Sequence, residues 1–167
     1  VLIDNWRAAG APLDAAVLAA GVRAATAQGR FSSVDALVAD ASEAAREAVD
    51  PRLAVSEAAF RRGTFGLART QADAALSQLG VRTDRLGDWP RPAAVALVLR
   101  AFAATWQGDL DAARADIGIG RMVTSPWPEL RAQIDYLDGL CHYYAGELEV
   151  ARRSFEALVA EGVALAV

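Results

Sequence analysis

Lysine is missing from this chain altogether, and histidine, cysteine and methionine occur once each in its 167 residues. Each scarcity excludes something. All 17 basic residues are arginines, a bias that a GC-rich genome explains. They are scattered, with only Arg61-Arg62 and Arg152-Arg153 adjacent, and the net charge is −4. No basic stripe is available to meet a phosphate backbone, so direct nucleic-acid contact is not expected. One histidine and one neighbouring cysteine are too few donors for a metal site. As successive helical residues, Cys141 and His142 would also point about 100° apart, which makes them a poor nucleophile–base pair. The lone Cys141 has no internal disulfide partner, lies in an apolar run and is expected to be a core thiol in a reducing compartment.

Long hydrophobic runs are absent too. The longest near the start, Ala15 to Val22, is too short to span a bilayer and follows no basic segment beyond Arg7, so a soluble, cytoplasmic chain is expected. Gly118-Ile119-Gly120-Arg121 lacks both the lysine of a P-loop and the further glycine of a dinucleotide fingerprint. The carboxylate pairs Asp109 with Asp111 and Glu147 with Glu149 follow turn glycines, where negative charge offsets a helix dipole. These observations predict no catalytic residue, no metal and no cofactor, hence a non-enzymatic protein. The chain begins at Val1 without methionine and ends on VALAV, which reads as a fragment of a longer protein.

Alanine supplies 39 positions, while isoleucine, threonine and tyrosine are sparse, so helix formers dominate and an all-α fold is expected. Four glycines share one setting: Gly29 in AQGRF, Gly63 in RRGTF, Gly108 in WQGDL and Gly146 in YAGEL. Five residues after each stands Val34, Ala68, Ala113 or Ala151, and nine after stands Val38, Ala72, Ile117 or Phe155. The glycines are 34, 45 and 38 residues apart, and the longer spacings contain the loop-rich stretches LGVRTDRLGDWPRP and TSPWP. The pattern predicts one helical repeat domain over 1–167, with hairpins near 12–49, 51–80, 92–123 and 128–162. The expected helices are Leu13–Gln28, Ser33–Val49 with Ser32 or Ser33 as N-cap, Pro51–Arg62, Phe65–Leu79, Pro92–Gln107, Leu110–Val123, Pro128–Ala145 and Leu148–Glu161. Trp6 is expected to pack on the first hairpin, and His142 to pair with Asp138 four residues earlier.

These units resemble the tetratricopeptide repeat family. The fourth matches best, with Gly139 at the small position of its first helix, Gly146 at the turn, then Leu148, Ala151 and Phe155. The third matches through Leu97, Ala101, Gly108, Leu110 and Ala113, and the second keeps Gly63, Phe65 and Ala68. Asp135, Asp138 and His142 depart from the family's usual Trp, Leu and Tyr, and Val34 replaces an alanine. GDLDAAR and GELEVARR also resemble the divergent repeats of large LuxR-type ATP-dependent bacterial transcriptional regulators. The resemblance implies an α-α superhelix, or solenoid, of about four hairpins whose first helices line a concave face.

Counting back from the turn glycines, the resemblance assigns to that face Arg23 and Thr26, then Leu53, Glu57, Phe60 and Arg61, then Val98, Phe102, Thr105 and Trp106, then Tyr136, Leu140, Tyr143 and Tyr144. The expected binding set is Arg23, Glu57, Phe60, Arg61, Phe102, Trp106, Tyr136 and Tyr143. Trp106 and Tyr144 are the members most expected to be core, since they continue apolar stripes. The partner implied is a protein or peptide, or a small-molecule effector; the alternatives are a structural spacer with an empty groove and self-association through the chain ends. If the set is a surface, replacing Phe102 and Tyr143 with alanine removes binding and leaves the fold intact.

Overall fold

The computed structural model describes residues 13–82 and 89–161, and every regular element among them is an α-helix. In chain order these are α1 (Ala15–Ala27), α2 (Phe31–Asp40), α3 (Glu43–Glu47), α4 (Val49–Arg61), α5 (Phe65–Leu79), α6 (Arg91–Trp106), α7 (Leu110–Val123), α8 (Pro128–Tyr144) and α9 (Leu148–Ala160). Helices of about 12–15 residues are marginal in water by themselves, so packing must hold them.

Four turns repeat one geometry. Gly29, Gly63, Gly108 and Gly146 take left-handed φ values of 67°, 81°, 76° and 81°, a region where a Cβ is strained. The residue after each glycine sends its N–H back to a carbonyl five positions earlier: Arg30 to Ala25, Thr64 to Ala59, Asp109 to Ala104 and Glu147 to His142, all at 2.9–3.0 Å. Each glycine N–H bonds to the carbonyl three positions back. This paired closure is the Schellman motif, which satisfies the carbonyls a helix end leaves open. The next helix starts at once in every case.

The resulting pairs are α1 with α2, α4 with α5, α6 with α7 and α8 with α9. The first helices also touch in succession, α1 on α4, α4 on α6 and α6 on α8, while α5 rests on α6 and α7 on α8. The first helices therefore form one layer. Small side chains permit the approach: Ala68, Ala113 and Ala151 are buried at the position five after the turn, and Val34 is buried at the same place. A Cβ at Gly139 would lie 2.6 Å from Cε1 of Phe155, so α8 and α9 meet where a larger residue has no room. One apolar core runs from Leu53 through Leu97, Ile117 and Ile134 to Cys141, and a second gathers Leu18, Val22 and Leu37 in the first pair. Cys141 is buried as expected, and burial pushes its thiol up.

A polar tie crosses the second and third pairs. Arg100 on α6 donates two hydrogen bonds to Asp116 on α7, at 2.8 and 2.6 Å, and one to Asp73 on α5 at 3.0 Å. Burial pushes the Asp116 carboxyl up, against the pull of those bonds from Arg100. Ser56 likewise donates to the carbonyl of Ala68, joining α4 to α5.

The first pair departs from expectation. The helix expected over Ser33–Val49 begins at Phe31 and ends at Asp40, and its N-cap is Arg30, not Ser32 or Ser33. Ala41 and Ser42 are extended, and Ser42 accepts from the N–H of Ala45 to start the short α3. An N-capping serine competes with helix continuation, which is the physical reason for the break. The following helix starts at Val49 instead of Pro51, placing the proline in a first turn that needs no N–H from it. Trp6 and the ends of the expected hairpins at 12 and 162 lie outside the described residues.

Gly108→Ala is expected to cost about 1–2 kcal/mol, because it forces a left-handed alanine. Gly118→Ala, in α7 with open space around it, is expected to be neutral or to stabilise by up to about 1 kcal/mol. Urea unfolding of the two variants checks the pair; equal stabilities contradict the account of the turn.

Candidate functional site

The layer of first helices borders a groove of about 1180 Å³. It follows the length of α6, from Arg91 and Val95 through Val98, Leu99 and Phe102 to Trp106. These positions recur every three or four residues and so share one face of the helix. Leu53 and Phe60 of α4 form one side and Leu130 of α8 the other, with Phe31 and Phe65 near the turns.

Aromatic rings make much of the floor. Phe60 sits 5.2 Å from Phe102 and 5.6 Å from Phe65 between centroids, and meets Trp106 edge-on at 5.4 Å. Such tilted and edge contacts suit the quadrupole of each ring and fix the cluster as a unit. A line of rings continues away from the groove, from Phe102 to Tyr136 at 6.5 Å and on to Phe155 at 5.7 Å.

The charged side chains of the lining are paired. Arg23 donates to both carboxylate oxygens of Asp50, at 3.2 and 2.5 Å, which holds that carboxyl below the usual range and raises the guanidinium. Arg61 lies 3.4 Å from Glu57, one turn apart on α4. Arg91 reaches Glu129 at 3.0 Å and holds its carboxyl low in the same way. Thr26, also in the lining, spends its hydroxyl on the carbonyl of Val22.

Six of the eight expected residues come together here: Arg23, Glu57, Phe60, Arg61, Phe102 and Trp106. Tyr136 is half-buried beside the groove, behind Phe102, and does not line it. Tyr143 is elsewhere; it is 53% exposed and packs on Tyr144, which is 51% exposed. The expectation that Tyr144 is core is therefore wrong: α9 is the last described helix, and nothing among the described residues covers this end of α8. Trp106, also expected in the core, is a half-buried wall of the groove. Phe102 reverses the other way, being only 5% exposed and part of the main core. Thr105 is buried and donates to the carbonyl of Ala101, so it is no surface residue.

Counting back from the glycines stopped at Val98 on α6 and at Tyr136 on α8, so it missed Arg91, Val95 and Glu129, and it passed over Leu99 beside Val98. The period of Val95, Leu99, Phe102 and Trp106 carries the signal for α6. The Arg91 to Glu129 pair spans two helices and leaves no local trace. His142 does meet Asp138, at 3.6 Å, but its closer partner is Glu147 across the turn, at 2.5 Å, and Asp138 is taken by Arg121 at 2.7 Å.

Among the described residues, no three His, Cys, Asp or Glu side chains are grouped to hold a metal ion, and no helix is long and apolar enough to cross a membrane.

Because Phe102 is core, the double replacement expected to spare the fold will not. Phe102→Ala should cost about 3–5 kcal/mol, the usual range for emptying a buried aromatic site. Tyr143→Ala, at an exposed site, should stay within about 0.5 kcal/mol. Chemical denaturation separates the two, and a stable Phe102→Ala contradicts the packing described. Compared with known proteins, the chain matches no family model, no curated protein and no solved structure.

Proposed function

We propose that the chain is a non-enzymatic recognition module, a superhelix of about four tetratricopeptide-like hairpins whose first-helix face binds a peptide, a protein segment or a small ligand. One observation carries this: a groove of about 1180 Å³ floored by Phe60, Phe102 and Trp106 and edged by ion pairs. Buried aromatics with arginine at the margin are the groups that concentrate binding energy at interfaces. The four identical glycine turns support the repeat architecture. Placement in a cytoplasmic bacterial transcriptional regulator rests on the wording of GDLDAAR and GELEVARR and on the arginine-only basic composition.

A second reading, a spacer that associates through its end, is favoured by the last pair. Leu148 and Val159 on α9 are 60% and 80% exposed, beside the exposed Tyr143 and Tyr144.

A photo-crosslinking amino acid at Leu99, in cells that express the protein, distinguishes the two. Recognition in the groove predicts an adduct from Leu99 that disappears in Trp106→Glu. A spacer predicts adducts from Val159 and none from Leu99, and that result sinks the binding proposal.

A further inference from the structure

We infer that the occupant of the groove is an amphipathic α-helix of about four turns, and not an extended peptide; this rests on the recognition function proposed above and narrows it. Three features of the groove lead there.

The first is hydrogen bonding. Between the ion pairs the floor presents the side chains of Leu53, Val95, Val98, Leu99, Phe102 and Leu130, which neither donate nor accept. Most polar side chains of the lining already have a partner in the chain: Arg23 with Asp50, Arg61 with Glu57, Arg91 with Glu129, Thr26 with a main-chain carbonyl, and Gln133 with a partner of its own. The main-chain groups of the lining helices are spent within the helices. An extended segment laid along α6 would turn part of its N–H and C=O groups onto this apolar surface. Each such group left unpaired costs about 1–3 kcal/mol. A helix arrives with its main chain already bonded, so only its side chains need to match.

The second is length and openness. Lining residues recur from Arg91 to Trp106, the whole of α6, which has 16 residues and so is about 24 Å long. The groove is open to solvent, with half-buried Val95, Leu99 and Trp106 in its lining. The helix would therefore seat one face in the groove and leave the other in water, which makes it amphipathic. Its apolar side chains would recur at three- and four-residue steps over about 16 positions.

The third is charge. Every arginine of the groove carries a carboxylate partner within the groove. No unbalanced cation remains to select a phosphate or a free chain terminus, and no unbalanced carboxylate to select a basic peptide. The seated stripe must be uncharged, with mixed charge at its two ends to face mixed charge on the rim.

Two displayed peptide libraries test the inference on the whole chain. One is a 16-residue helical frame of Ala, Glu and Lys with apolar residues varied at i, i+3, i+4 and i+7; the other alternates apolar and polar residues. Binders are re-measured by anisotropy on Trp106→Glu and Val95→Glu, both at half-buried lining positions, and on the distant Val159→Glu as control. The expected result is binders from the helical library that lose at least tenfold on either groove variant and none on the control. Proline in the middle of their stripe should also cost at least tenfold, and peptide helicity by circular dichroism should rise on binding. Groove-dependent binders from the alternating library, or helical-library binders indifferent to proline, overturn the helix while leaving the groove as the recognition site. Absence of groove-dependent binders from either library, with melting of the variants unchanged, overturns the recognition function and this inference together.

Discussion

The α1–α2, α4–α5, α6–α7 and α8–α9 connections are made by a glycine in a left-handed conformation, closed by two main-chain hydrogen bonds to the preceding helix. The following residue has nearly the same backbone in each case, with φ between −81° and −91° and ψ between 58° and 69°. One turn geometry used four times sends each second helix back beside its first in the same way. The first helices can then lie next to one another, and this adjacency places the side chains of α1, α4, α6 and α8 around one groove. Burial of alanines does the rest. Ala68, Ala113 and Ala151 remove side-chain bulk where paired helices approach, and the larger Leu97, Ile117, Ile134 and Leu137 fill the space between pairs.

The groove differs chemically from the end of the layer. Its lining is aromatic and aliphatic, its ring cluster is fixed by contacts among Phe60, Phe65, Phe102 and Trp106, and its charged side chains are paired. Ion pairs this exposed add little stability, since water screens them. Within the lining they balance three arginines with three carboxylates. At the far end, Tyr143, Tyr144, Leu148 and Val159 are exposed, and among the described residues no further helical pair packs on them.

Much of this was legible in the residues. The four glycines and the small residues five positions beyond them identified the turns, because a left-handed turn and a close helix contact each demand a particular residue type. The groove was only partly legible. Arg23, Glu57, Phe60, Arg61, Phe102 and Trp106 do line one groove, since counting from a turn sets the rotational phase of a helix well near that turn. Counting says nothing about depth. Phe102 is covered by its neighbours across the layer, while Tyr143 and Tyr144, on an equally apolar stretch, are covered by no further helical pair among the described residues. The α2–α3 break was missed because Ser42 as an N-cap outweighed the helix propensity of the alanines around it. Partners distant in sequence, such as Arg91 with Glu129, are decided by packing alone.

The central claim is that recognition occurs on the layer of first helices. A methyl NMR titration of the leucine- and valine-labelled chain with a 16-residue leucine-striped helical peptide tests it most directly. The account predicts that the methyls of Leu53, Val95, Leu99 and Leu130 shift and saturate together while those of Leu148 and Val159 stay in place. Shifts confined to Leu148 and Val159, with the groove methyls unmoved, would contradict it.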